Sequence, residues 1–158
     1  MIEQIYTFFT LEMVYLWLNL GVLPFWLVLI IFPKSQICRV FITSIFPIFI
    51  LSLAYGYLLY IIFFQGNYNF LSNFELYLSL DRLSNLFSDT SFLILFWTHF
   101  LAINLFCGGW IVKDSQKFYI NKILMFFPLL FTYLIGPIGL TIYWVIRIFY
   151  AKRINLHD

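Results

Sequence analysis

Few side chains in this sequence can do chemistry, and most of them fall in its C-terminal half. His99 and Asn104 lie inside one apolar stretch, Asp114 sits just past its end, and Tyr143 and Arg147 lie in the next. Polar groups are costly among lipid-facing residues, so they locate function better than anything else in such a chain. A histidine's ordinary pKa lies near neutrality, so by residue type His99 suits an acid, a base or a ligand contact; a hydrogen bond tying two helices together would equally account for it. At about 100° per residue, Trp97, Leu101, Asn104 and Gly108 share one helical face, and His99, Ala102, Ile103, Phe106 and Trp110 another. His99 and Asn104 therefore point about 140° apart and must face different neighbours unless the helix is distorted. Asp114 follows one turn after Trp110, on roughly its side. Gly136, Leu140, Tyr143 and Arg147 line up at i, i+4, i+7 and i+11. Arg147 either snorkels to headgroups or turns inward to pair with a carboxylate or a polar ligand.

Other chemistries find no support. Cys38 and Cys107 have neither metal nor redox spacing, and a disulfide between them is not expected. With His99 and His157 the only histidines, no zinc or haem site of the usual kind is expected. No Gly-rich nucleotide loop occurs. The expectation is a protein with no cofactor.

The elements that must position these groups are set by composition. Of 158 residues, 63% are hydrophobic and 10% charged, against about 45–50% and about 25% in a soluble domain. Mean hydropathy is +0.95. Too few polar side chains remain to cover a water-facing surface, and disorder is excluded by the same numbers. The net charge of +2 comes from scattered Lys and Arg with no basic stripe, which excludes nucleic acid as a partner. A multi-pass integral membrane protein remains, with membrane lipids as its surroundings. Its 21 Phe and 23% aromatic content suit lipid-facing packing and also a flat or polyene-like apolar partner.

Four apolar runs match the roughly 20 residues that a spanning helix needs: 13–32, 40–64, 91–112 and 123–150. The expected fold is all-α, a single domain over 1–158 formed by a bundle of four transmembrane helices. The fourth run is longer than one span requires, so it tilts, kinks or protrudes. Between the second and third runs, Gln65 to Thr90 is polar. Leu76, Leu80, Leu83 and Phe87 fall on one helical face there, predicting a short amphipathic helix on the membrane surface or capping the bundle. Gly136-Pro137-x-Gly139 predicts a kink or a close helix approach, because Pro137 removes a backbone donor and the glycines carry no side chain. The first twelve residues hold Glu3 and Glu12 but no Lys or Arg, so no secretory signal is expected. With four full spans and the N-terminus outside, five Lys or Arg fall inside and four outside, a weak preference for both termini outside.

The sequence resembles the ABA-deficient-4-like family, small multi-spanning proteins of plants, algae and bacteria. The resemblance rests on Trp97-x-His99, Asn104-Leu105-Phe106, Gly108-x-Trp110-Ile111, Asp114, Gly136-Pro137-x-Gly139, Tyr143 and Arg147. Asn19-Leu20, Leu23-Pro24-x-Trp26 and Pro33 match at the start, so that residues 16–150 are covered. It implies a function like that of plant neoxanthin synthase-like members, which are implicated in forming neoxanthin from violaxanthin. That isomerisation opens an epoxide and removes a proton to leave an allene, with no net redox change. On this basis His99 and Arg147 are the expected catalytic residues, one for proton transfer and one for the developing alkoxide. Asn104, Tyr143, Trp97, Trp110 and Asn19 are expected to bind substrate, Trp144 adding to the wall. The family pattern places Asp where this chain has Asn104; an amide hydrogen-bonds but cannot exchange a proton at neutral pH. Epoxycarotenoid isomerisation, non-catalytic carotenoid or lipid binding, and a small membrane scaffold for other enzymes are therefore the competing readings, with an oligomer compatible with each. With four full spans, Asp114 and Arg147 end on opposite membrane faces, about 30 Å apart, and do not pair. The site is then expected in the outer half, around His99, Asn104, Tyr143 and Arg147. The leader lacks Arg and Ser, so a bacterial inner membrane is expected before a plastid one.

Overall fold

The computed structural model describes residues 10–65 and 79–152, and among them all regular structure is helical. Helix α1 spans Leu11–Ile31, α2 Phe46–Tyr60, α3 Leu80–Phe87, α4 Thr90–Lys117, α5 Lys122–Ile135 and α6 Pro137–Ala151. A π-helical turn, Cys38–Ile42, precedes α2, and another, Ile61–Gln65, extends it. Three helices among the described residues are long and apolar enough to cross a membrane: α1, α2 with its extension to Phe64, and α4.

Local chemistry sets the helix starts. The Thr10 hydroxyl accepts from the Met13 amide at 3.3 Å, the Ser79 side chain from Arg82, Asp89 Oδ1 from Phe92 at 2.9 Å and Asn121 Oδ1 from Ile123 at 3.0 Å. Each supplies an acceptor that the first helical turn lacks. The second run begins at Phe46 rather than at residue 40. There the Ser44 hydroxyl accepts from the Phe46 amide at 3.2 Å and donates to the Phe41 carbonyl at 2.6 Å, closing one turn and opening the next. The third run continues five residues past its apolar end, to Lys117, because the charge of Asp114 is paired, as described below.

The expected fourth span is two helices. Gly136 caps both α5 and α6, and their 14 and 15 residues are about 21 and 22 Å long at 1.5 Å per residue. Each falls short of the roughly 30 Å hydrocarbon core.

The short helix before α4 corresponds to α3, but not with the expected face. Leu86 is its buried residue, while Leu80 is 79% exposed. Phe87 packs edge-on against Phe92 and Phe96. Leu76 lies outside the described residues.

The chain divides into two compact units. The first holds residues up to Leu20 and Ile50–Phe100; the second holds Gly21–Phe49 and the chain from Leu101 onward. The first unit's buried residues include Leu18, Leu51, Leu58, Ile62, Ile94 and Leu95, and those of the second include Val22, Trp26, Leu29, Ile111, Val112, Met125 and Leu129.

Candidate functional site

The second unit buries a charged cluster. Arg147 Nε donates to Asp114 Oδ2 at 2.6 Å, and Tyr143 Oη donates to the same oxygen at 2.5 Å. Arg147, Tyr143 and Asp114 are 1%, 0% and 5% exposed. A buried carboxylate is tolerable only when paired and hydrogen-bonded, and this one has both a guanidinium and a phenol. The guanidinium carbon lies 4.9 Å from the centre of the Phe118 ring, a favourable cation–π distance. Trp110 packs edge-on against Tyr143, with ring centres 5.5 Å apart.

The pairing of Asp114 with Arg147 overturns the expectation that they end on opposite faces. The reason is the break at Gly136. On α4 Asn104 precedes Asp114 by ten residues. On the last helix Gly136 precedes Arg147 by eleven. Gly136 packs against the Asn104 amide and Arg147 against Asp114. Both segments therefore climb about 15 Å in the same direction, so α6 runs parallel to the C-terminal half of α4 and α5 runs back between the two levels. The α5–α6 pair is a helical hairpin with its tip at Gly136-Pro137.

The tip is built for closeness. A side chain on Gly139 would run into the Thr132 backbone, and one on Gly136 into the Asn104 amide. The close approach expected at Gly136-Pro137-x-Gly139 is thus present, made by a turn between two helices rather than by a kink in one. Asn104 is 5% exposed and its Nδ2 has no hydrogen-bond partner. One turn further along α4, the Trp26 indole lies on bare Gly108, where an added Cβ would sit 2.7 Å from the ring. The Trp26 ring also meets Tyr133 at 5.4 Å.

Beside this cluster is a partly open cavity of about 500 Å³, within the range of small-molecule sites. Ile45, Ile48, Leu105, Phe106 and Trp110 give it apolar walls, and Thr43, Ser44 and Lys113 are the polar residues of its lining. Trp110 belongs both to this cavity and to the aromatic contact with Tyr143.

The other expected site residues fall in the first unit. Trp97 Nε1 donates to Asn19 Oδ1 at 3.1 Å, and Asn19 Nδ2 donates to the Tyr15 carbonyl at 2.7 Å. The Trp97 ring stacks on Phe100. His99 is exposed, with its ring 6.1 Å from that of Tyr55. His99 and Asn104 thus meet different neighbours, as their angular separation requires. Trp144 is the exception, lying in the second unit, where its buried indole nitrogen has no hydrogen-bond partner. Phe118 and Thr132 were not legible as site residues. For Asp114 a signal did exist: it is the sole acidic residue between Asp89 and Asp158, so an inward-facing Arg147 has few carboxylates to find.

Together these features define an all-helical protein with span-length apolar helices and a buried acid–phenol–guanidinium cluster next to an apolar cavity. The chain belongs to the ABA DEFICIENT 4-like family, whose model matches residues 13–143. The match takes in Asp114 and ends on Tyr143, four residues short of Arg147. Comparison with curated proteins and with solved structures gives no match.

Proposed function

We propose that this protein acts inside a membrane on an oxygen-bearing carotenoid, or a similar long apolar molecule, and rearranges its oxygenated end by acid–base chemistry. The observation that carries this reading is the apolar cavity whose Trp110 wall rests on Tyr143, with Asp114 and Arg147 bonded behind it. Opening an epoxide to an allene needs one proton delivered to oxygen and one taken from the neighbouring carbon. Tyr143 holds a transferable proton, Asp114 is the carboxylate able to take one, and Arg147 supplies positive charge for an alkoxide. The substrate reaches them when the Trp110 indole turns aside. His99, the acid–base candidate by residue type, is the rival for proton transfer, and Asn104 is assigned to the hairpin tip. Membership of the family supports the carotenoid as substrate class.

The second reading is a carotenoid carrier without turnover. It is favoured by the cavity lining, in which Lys113 is the ionisable residue and no carboxylate takes part. Incubating the reconstituted protein with an epoxycarotenoid separates the two. Isomerisation gives a product of unchanged mass and altered absorption; carriage gives retained, unaltered pigment. A protein that retains no pigment and forms no product refutes both.

A further inference from the structure

The hairpin changes which charges share a membrane face. We propose that α5–α6 is a re-entrant hairpin, entering and leaving on the face where α4 ends, and that the exposed cations gathered there dock this end of the protein on an anionic lipid leaflet.

Three observations within the second unit carry the geometry. Neither helix of the hairpin is long enough to span, whereas α4, at 28 residues, is about 42 Å long. The hairpin tip packs against Asn104, midway along α4. Its far end returns to Asp114 and Phe118, at the end of α4. A non-spanning, turn-containing segment is tolerated at membrane depth only where protein covers its backbone, and the Gly136 and Gly139 approaches supply that cover. The α1–α2 connection lies at the same end: the Gln116 amide donates to the Pro33 carbonyl at 2.8 Å.

The consequence is electrostatic. Lys34, Arg39, Lys113, Lys117, Lys122 and Lys152 are all exposed and all fall at or beside this end. With Arg147 included, seven of the eight Lys and Arg among the described residues belong to it, and the other is Arg82. Among the described residues, the acidic one at this end, Asp114, is already paired. The near balance of five against four that four full spans would give becomes a strong bias, and such a bias marks the cytoplasmic face. Clustered cations near a membrane surface attract anionic headgroups over about a Debye length.

The test has two parts. Cysteines placed at Lys34, Lys152 and Ser88 are probed with an impermeant maleimide in sealed vesicles of one orientation. Lys34→Cys and Lys152→Cys are expected to label from one side and Ser88→Cys from the other. Lys152→Cys labelling together with Ser88→Cys overturns the hairpin. The melting temperature of the unmodified protein in detergent is then followed as phosphatidylglycerol, phosphatidylcholine or inorganic phosphate is added. Phosphatidylglycerol alone is expected to raise it, with the rise shrinking in high salt and lost in a Lys34→Gln, Lys117→Gln, Lys122→Gln, Lys152→Gln variant. An equal rise with phosphatidylcholine or with free phosphate, or a rise indifferent to salt, overturns the docking. The salt series needs no variant, so a variant that fails to fold does not decide the outcome.

Discussion

The two units contain the same kinds of residue and use them differently. In the first, the polar groups stand exposed or are satisfied close by: Asp89 caps α4, Asn19 bonds Trp97 and its own helix, the buried Thr98 hydroxyl donates to the Ile94 carbonyl, and His99 stands exposed beside Tyr55. In the second, the acid, the guanidinium and the phenol are all buried and meet on one carboxylate oxygen. Beside the cluster Gly108, Gly136 and Gly139 leave no room for a side chain, whereas Gly56 of the first unit and Gly21, at the start of the second, have open space around them. A polar residue in an apolar helix is thus informative only once its burial is known. Where burial forces a pairing over 30 residues of chain, the pairing fixes the fold.

This contrast can be broken by substitution. The largest effect is expected for Asp114→Ala, which strands the Arg147 charge in the interior at a cost of about 3–5 kcal/mol; the matching change in the first unit, Asp89→Ala, removes a helix cap worth about 1 kcal/mol. Thermal unfolding in detergent should separate the two clearly, and equal shifts would erase the distinction between the units. Next comes Gly139→Ala. The Thr132 backbone it meets cannot move aside as a side chain can, so a loss of about 2–3 kcal/mol is expected, against about 0.5 kcal/mol or less for Gly56→Ala. A smaller effect, about 0.6 kcal/mol, is expected for Asn19→Leu, the average for a hydrogen bond between membrane helices. The smallest concerns reactivity alone. Burial pushes the Cys38 thiol up to about 11, so at neutral pH it holds almost no thiolate and should resist maleimide until the protein unfolds.

The sequence reveals the first and third spans best. Residues 13–32 and 91–112 were legible as runs, and α1 and α4 follow them because long apolar stretches have one low-cost conformation in lipid. The end of α4 was hidden, since Lys113, Asp114 and Lys117 read as a boundary while Asp114 remains helical through a partner 33 positions away. The fourth run misled for a related reason. Its 28 residues carry the hydropathy of one long helix, and hydropathy is blind to whether Gly136-Pro137 kinks a chain or reverses it. Deciding that takes the contact partners of Gly136 and Gly139, which only the folded chain supplies. The same reversal moves Arg147 from the far face to Asp114. The face shared by Tyr143 and Arg147 was read correctly from their spacing, because i, i+4 neighbours stay together whatever the helix does.

The account's central claim is that acid–base chemistry resides in the Asp114–Tyr143–Arg147 cluster and not at His99. It is tested most directly by turnover of an epoxycarotenoid by reconstituted Asp114→Asn and His99→Ala, each first shown to be folded. Loss of a positioned acid or base costs about 10²–10⁴-fold in rate, so Asp114→Asn is predicted to fall by at least about 10²-fold while His99→Ala stays near the unmodified protein. Turnover abolished in His99→Ala and retained in Asp114→Asn would contradict the account.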